Sequence, residues 1–389
     1  MRLNVRWGCV IPAAVFLIIA IIAAPYVIGF ARFFFGPYPR ENQGTARPLP
    51  NVTWASFSPA EDTIAFSFRF GDFGGIFLMD QKGRVFKWLC KRSKEWWYSH
   101  PVFSPDGQRI AFVSNWSRED ADIFIMDKDG SHVRRLTSTP DDDFWPAFSP
   151  DGKKLYFIRS RFYGSFNRRT RPGPHRNDLF CVELESGQEY AITDEKLYKL
   201  NYPNVMPGGD KILLGTFDRV LGAQGLEIPE NSDEGYNLWT VELKKPPVWR
   251  PVIPKLNKFK ADIRLKPHAT KPITYRNLYD PVLSRDGRYL VFSWCGHYDD
   301  LAGYQLYITD MRTMETEMLT RLEAHTDAVE ISPDNKKVLF TTSEKEPPRN
   351  IFHATNLWLI NRDGTGLRNF VLDFSAVAGN PPVRRLGLK

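Results

Sequence analysis

The sequence predicts an all-β protein that folds as a six-bladed β-propeller, and three regularities support that prediction. A turn of the Ser-Pro-Asp-Gly type recurs six times, and each copy follows an apolar residue. Those apolar residues lie 46, 45, 57, 78 and 48 residues apart. A strand of the pattern aliphatic–aromatic–x–x–acid or amide follows each turn, and a period in the forties is typical of propeller blades. The six apolar anchors are Phe57, Phe103, Phe148, Val205, Leu283 and Ile331.

The strands of each repeat can be placed relative to these anchors. A second strand with alternating aliphatic and aromatic residues follows each turn, as expected for strands packed between neighbouring sheets. The third strand is the most regular and starts at Ile76, Ile123, Leu179, Leu238, Leu306 and Leu357. The inner strand, which precedes the turn, is predicted to begin near Trp54, His100, Trp145, Tyr202, Asp280 and Ala328.

An uncharged stretch from Gly8 to Ala31 precedes the repeats. Twenty-four residues form about 36 Å of helix at about 1.5 Å per residue, which is enough to cross a bilayer. We therefore predict an uncleaved transmembrane anchor, with a cleaved signal peptide as the alternative. The resulting division of the chain is an N-terminal tail and anchor (1–31), a juxtamembrane linker (32–53), the propeller (54–374) and a basic tail (375–389).

The net charge of +7 does not indicate a nucleic-acid-binding protein. Residues 1–50 carry a net +4 and residues 375–389 a net +3, so the repeat region is close to neutral. A nucleic-acid binder is expected to have a basic face on its folded body. Beyond Cys9, the cysteines Cys90, Cys181 and Cys295 have no zinc-like spacing and are interpreted as buried thiols.

The start of each inner strand is expected to line the mouth of the central channel. Aromatic rings with a histidine and an aspartate in one funnel suit a ligand or a peptide segment, because binding sites combine apolar walls with few polar groups. The alternative is that the rings only pack the end of the channel. The predicted binding residues are Trp54, His100, Trp145, Tyr202 and Asp280.

Three insertions interrupt the repeat, at residues 161–177, 218–235 and 254–278. Long loops in a compact domain are usually functional or disordered. The first insertion contains Arg168, Arg169, Arg171 and Arg176, which are predicted either to contact an acidic partner or anionic lipid or to be plain solvated surface.

Acidic residues in the repeats do not predict a metal site. Asp106, Asp151 and Asp286 lie in turns, where an aspartate side chain bonds the local backbone. The clusters Asp141–Asp143 and His297–Asp300 are interpreted as solvated loops. No cofactor is predicted. No Gly-x-Ser-x-Gly or His-Glu-x-x-His motif occurs, so an enzyme is not the favoured interpretation.

Residues 103–137 closely resemble the repeat of TolB-like six-bladed β-propellers, and residues 148–193 match nearly as well. The resemblance covers about residues 54–374 and implies a propeller that binds protein or ligand at one face. TolB itself is a periplasmic protein that binds lipoprotein and Tol-complex partners. This sequence departs from it in having a predicted anchor, rather than an α/β domain, before the propeller.

The resemblance and the anchor together lead us to expect a single-pass inner-membrane protein whose propeller faces the periplasm or exterior. Its expected role is a non-enzymatic scaffold for protein partners of the envelope. The alternative is a ligand-binding, hydrolytic or lyase propeller with its site in the central channel.

Overall fold

The computed structural model describes residues 51–59, 63–70, 72–91, 96–116, 120–161, 177–197, 200–217, 236–252, 255–256, 278–294, 304–322, 324–346, 351–377 and 385–386, all of which belong to one compact unit. The sheets of this unit are antiparallel apart from one two-residue parallel pair, and six of them are blades. The predicted all-β, six-bladed architecture is confirmed. Among the described residues, no helix is long and apolar enough to span a membrane, and the predicted anchor at residues 8–31 lies outside them.

The first three blades follow the chain from inner to outer strand. Blade 1 consists of β1 (Asn51–Phe57), β2 (Thr63–Phe70), β3 (Phe73–Asp80) and β4 (Val85–Lys91). Blade 2 consists of β5 (Tyr98–Phe103), β6 (Arg109–Ser114), β7 (Asp122–Asp127) and β8 (Arg134–Arg135). Blade 3 consists of β9 (Asp142–Phe148), β10 (Lys154–Ser160), β11 (Asn177–Glu183) and β12 (Glu189–Ala191).

The second half of the ring has the same order, with one addition. Blade 4 consists of β13 (Leu200–Val205), β14 (Lys211–Phe217), β15 (Tyr236–Glu242) and β16 (Val248–Val252). Blade 5 consists of β18 (Leu278–Leu283), β19 (Tyr289–Trp294), β20 (Gln305–Asp310) and β21 (Glu315–Met318), with β17 (Lys255–Leu256) added parallel to β21. Blade 6 consists of β22 (His325–Ile331), β23 (Lys337–Glu346), β24 (Ile351–Asn361) and β25 (Arg368–Asn369). A final pair joins β26 (Leu372–Asp373) to β27 (Arg385–Leu386).

Among the described residues, blades 1 and 6 exchange no strand where the ring closes. All four strands of blade 1 and all four of blade 6 come from their own segments of the chain. Side-chain packing closes the seam, since Phe66 and Phe77 of blade 1 share a buried cluster with Leu359 of blade 6 and with Phe370 and Phe374. One backbone bridge between Arg84 and Asp373 adds to it, with the amide of Asp373 donating to the carbonyl of Gly83 at 2.9 Å. Five further clusters among the described residues each join two neighbouring blades. Burial of these apolar faces is the main favourable contribution to the fold.

The Ser-Pro-Asp-Gly turns are built as predicted, by side chains that bond the local backbone. In blade 2 the Ser104 hydroxyl donates to Asp106 Oδ1 at 2.5 Å, and Asp106 Oδ1 accepts the amide of Gln108 at 3.0 Å. The turns of blades 3, 5 and 6 repeat this arrangement. These hydrogen bonds confirm the structural interpretation of Asp106, Asp151 and Asp286.

The prediction of a solvated acidic loop is wrong for Asp143. Its side chain is fully buried and accepts two hydrogen bonds from Arg159, at 2.7 and 2.8 Å. Asp142 also has a structural role, since it accepts the amide of Ala121 at 2.9 Å. The error arises because the cluster begins the inner strand β9 rather than preceding it. The second cluster, His297–Asp300, lies outside the described residues, as does Cys295, whereas Cys90 and Cys181 are buried free thiols as predicted.

Candidate functional site

A β-bulge interrupts each inner strand at the same level of the ring. In four successive blades one bulge residue has a left-handed backbone, namely His100 (φ 50°), Trp145 (φ 53°), Tyr202 (φ 51°) and Asp280 (φ 53°). This conformation costs a bulky residue roughly 1–3 kcal/mol, and such strain persists only where the surrounding structure enforces it. Bulges redirect side chains. The bulge level is therefore the place to look for function.

The residues predicted at the channel mouth all lie at this bulge level. The prediction that the inner strands begin there is wrong, because each inner strand begins two or three residues earlier. Trp54, for example, is the fourth residue of β1, and His100 is the third residue of β5. These residues lie midway along the inner strands rather than at their ends.

Four of the predicted residues form one aromatic cluster. The ring of Trp54 lies 4.6 Å from that of His100 and 5.4 Å from that of Tyr202, measured between centroids. Trp145 joins the cluster at 6.1 Å from His100 and 5.6 Å from Tyr202. Aromatic rings attract one another in offset and edge-on arrangements at these distances. Aromatic side chains from blades 1 to 4 thus meet near the central axis of the propeller.

A cavity of about 300 Å³ is lined by this cluster and by the inner-strand residues that follow it. Its walls continue to the turns at the far end of the inner strands, which we call the turn end, where Pro105, Pro150, Pro207 and Arg285 line it. The cavity is therefore lined from the bulge to the turn end, opposite to the strand starts where the mouth was predicted. Its size is at the lower limit of small-molecule pockets, so it suits a short segment or a small ligand.

The cavity holds His100 in its neutral form. Burial lowers the pKa of His100 to about 4, because the surrounding apolar groups disfavour the charged imidazole. Its Nδ1 lies 2.8 Å from the hydroxyl of Ser99. Asp280 lies at the corresponding bulge and is buried, but it does not line the cavity. The structure thus brings four of the five predicted channel residues to one cavity.

Arg285 and Glu330 line the same cavity, and the sequence reasoning did not single them out. Burial raises the pKa of Glu330 to about 7, and the positive charge of Arg285 acts in the opposite direction. The sequence contained a signal for Arg285, which occupies the place of proline in the turn motif of blade 5. Glu330 is likewise an acidic residue in an inner strand where the other copies have neutral residues.

The other predicted contact residues cannot be placed in this site. Arg168, Arg169, Arg171 and Arg176 lie outside the described residues. In the part of the chain that the structure describes, no group of three or more histidine, cysteine, aspartate or glutamate side chains is arranged to hold a metal ion.

The comparison with protein families agrees with this geometry. The family model described as TolB beta propeller domain matches residues 55–220, which extend from β1 to just beyond β14. The chain therefore contains TolB-like β-propeller repeats. Its relatives are distant. An uncharacterized protein of Agrobacterium fabrum is 27% identical over 144 residues, which are 37% of this chain and 43% of that protein.

Solved structures show the TolB-like fold in proteins of different activity. TolB from Acinetobacter baumannii aligns with a TM-score of 0.52 at 16% identity, covering 83% of this chain and 63% of that one. An oligogalacturonate lyase in complex with manganese aligns with a TM-score of 0.51 at 14% identity, covering 82% of this chain and 77% of that one. The chain spans less than two thirds of the length of the Agrobacterium protein and of TolB. At these identities the similarity establishes the fold and leaves the choice between binding and catalysis to the site itself.

Proposed function

We propose that this protein is a membrane-anchored, non-enzymatic binding propeller that docks a protein partner by taking a segment of that partner into its channel cavity. The observation that carries the proposal is the convergence of four aromatic rings on one cavity of about 300 Å³. Aromatic residues dominate the energetics of protein interfaces because they bury large apolar areas at low entropic cost.

The backbone at the bulge level supports this role. Three of the four cluster residues are held in left-handed conformations, so the rings are fixed before any partner arrives. A binding site that is already rigid loses less conformational entropy on association. A propeller that displays such a site between variable loops suits a scaffold, because the sheets hold the binding residues in place.

The surroundings of the propeller are part of the proposal. Residues 8–31 would anchor it in the inner membrane with the blades facing the periplasm or exterior, and the partner would be an envelope protein. The similarity of residues 55–220 to the TolB beta propeller domain supports a protein partner. Resistance of the full-length protein to extraction by alkaline carbonate would test the anchor, and its release by carbonate would contradict it.

The docking proposal is tested by filling the cavity. Ala147 lines it on β9, so Ala147→Trp should occupy the space that a partner segment needs. Val133→Trp adds the same side chain at an exposed position and is the matched control. Detergent-solubilised full-length protein would be used to capture partners, with each variant's fold checked by circular dichroism.

A stoichiometric partner that is captured by the parent protein and by Val133→Trp, and lost with Ala147→Trp, would support the proposal. A partner retained by Ala147→Trp would place docking elsewhere. Replacement of Arg168, Arg169, Arg171 and Arg176 by alanine then tests the first insertion, and partner loss only in that variant would move the docking site there. Failure to capture any stoichiometric partner would contradict the scaffold role.

A further inference from the structure

Two charged residues break the sixfold repeat, and both lie at the cavity. Five of the six turns have proline where blade 5 has Arg285, and these prolines are Pro59, Pro105, Pro150, Pro207 and Pro333. The position of Glu330, next to last in its inner strand, is occupied in the other blades by Ser56, Val102, Ala147, Asn204 and Val282. Neither substitution is needed to build a blade, because the other copies fold without a charge at these places.

Other polar groups on the cavity wall are used within the protein. The amide nitrogen of Asn204 donates to the carbonyl oxygens of Tyr202 and Pro281, each at 2.7 Å, and its oxygen accepts the amide of Leu283 at 2.9 Å. The hydroxyl of Ser284 donates to Asp286 and accepts the amide of Tyr289. These side chains tie blade 4 to blade 5 and form the turn, so they have a structural role.

The polar groups of four other lining residues are not used in this way. The indole N–H groups of Trp54 and Trp145 are buried and have no acceptor among the described residues. The side chains of Arg285 and Glu330 likewise make no hydrogen bond or ion pair with the described residues, although the charge of Arg285 acts on Glu330. Buried polar groups in native proteins almost always find a partner, so the two indole N–H groups require an acceptor from water or from a ligand. Arg285 is exposed, so its guanidinium is open to solvent and accessible to a ligand.

The chemistry of the unused groups defines that acceptor. Two indole N–H groups are donors only, and a guanidinium is a donor with a permanent positive charge. A planar guanidinium forms paired hydrogen bonds with a carboxylate, which has two acceptor oxygens. Arg285 lies at the open turn end of the cavity, where a charged group can enter without full loss of its hydration.

We propose that the turn end of the cavity is a carboxylate subsite in which Arg285 binds the free carboxylate of the occupant and the aromatic cluster packs its apolar part. This assignment deepens the proposed function and rests on it, since the favoured occupant is the carboxyl end of a partner chain. A small aromatic acid offers the same chemistry. Glu330 is the internal carboxylate that competes with the occupant for Arg285.

The test measures carboxylate preference by titration calorimetry on the detergent-solubilised full chain. One probe pair is N-acetyl-Ala-Ala-Phe with a free carboxylate and the same peptide with a C-terminal amide. The second pair is benzoate and benzamide. We expect the acid of at least one pair to bind about tenfold more tightly than its amide, a difference of about 1.4 kcal/mol. Preference within the peptide pair would identify a chain end, and preference within the benzoate pair alone a small acid.

The repeat itself provides the variant that tests Arg285. Arg285→Pro restores the residue of the other five turns, so the fold should be retained and the carboxylate preference lost. Arg312→Ala removes an equal charge from an exposed turn of blade 5 and should keep the preference. Glu330→Gln removes the competing carboxylate and should tighten binding of the acid by several-fold.

Equal binding of acid and amide, preference retained in Arg285→Pro, or no binding of any probe would each overturn the carboxylate subsite, and the last outcome would assign the unused donors to water. The proposed function fails separately. Partner capture that is lost with Ala147→Trp but unchanged in Arg285→Pro would keep the docking role and reject the subsite. Carboxylate preference in a protein that captures no partner would keep the subsite, reject the docking role and indicate a protein that binds small acids.

Discussion

Two arginines of this propeller have opposite surroundings. Arg159, in blade 3, is buried and bonds Asp143 at 2.7 and 2.8 Å and Glu189 at 2.7 Å, with its guanidinium 4.5 Å from the ring centre of Phe180. Arg285, at the channel, lies near Glu330 without a direct bond to it. A charge whose hydrogen bonds are all used within the protein serves the fold. A charge whose donors are left over is available for another molecule.

The largest effect is expected where the charges are fully paired. Arg159→Ala would leave the carboxylates of Asp143 and Glu189 without their cation, and loss of one partner from a buried pair costs about 3–5 kcal/mol. Urea unfolding followed by intrinsic fluorescence measures this loss. Arg285→Ala is the matched comparison and should change the free energy of unfolding by less than about 1 kcal/mol. Equal losses in the two variants would show that Arg285 is also structural, which would remove the contrast.

A second, smaller effect concerns the neutral histidine of the cavity. Burial lowers the folded-state pKa of His100 from 6.5 to about 4, so the unfolded chain binds the proton more readily. The contribution of neutral His100 to the free energy of unfolding is fully present above pH 6.5 and is lost as the pH falls towards 4. At about pH 4.5 the free energy of unfolding is lower by about 2–3 kcal/mol from this group. His100→Asn, which tolerates the left-handed backbone, should lose less stability on acidification. Urea midpoints at pH 7 and pH 4.5 measure the difference, and an equal loss in the parent and in His100→Asn would contradict this role of His100.

The smallest of the three effects has the opposite pH direction. Burial raises the pKa of Glu330 from 4.5 to about 7, so its protonated form favours the folded state. The associated stability is fully present below about pH 4.5 and is lost as the pH rises through 7. Glu330→Gln should therefore be more stable than the parent at pH 8, by about 1–2 kcal/mol after allowance for partial exposure, and no more stable at pH 4. Thermal unfolding at the two pH values tests this, and an equal difference at both would assign the effect to packing.

Local patterns in the sequence were sufficient for the blades. Short apolar runs such as Ile123–Asp127 and the glycine turns that follow predict four-stranded sheets, because strand and hairpin geometry depend on neighbouring residues. The hydrogen bonds of the Ser-Pro-Asp-Gly turns are equally local, since each joins residues two to five positions apart. The convergence of Trp54, His100, Trp145 and Tyr202 could also be predicted, because the repeat places them in equivalent positions, but their level midway along the inner strands could not.

Contacts between distant segments could not be predicted in this way. The ion pair of Arg159 with Asp143 depends on the register of β9 against β10. From the sequence alone, the three consecutive aspartates 141–143 are equally compatible with a solvated loop. The seam between blades 6 and 1 depends on Phe374 packing against Phe66, which lies about three hundred residues earlier in the chain. The addition of β17 to blade 5 could not be predicted from the repeat either.

Periodicity and local backbone chemistry are enough to predict the six repeats, their turns and the set of side chains that converge on the channel. Which polar groups are used within the protein, and which remain available, depends instead on tertiary packing. That distinction requires the positions of all neighbouring donors and acceptors. Arg285 and Glu330, for example, are 45 residues apart in the sequence and come close only because blades 5 and 6 pack side by side.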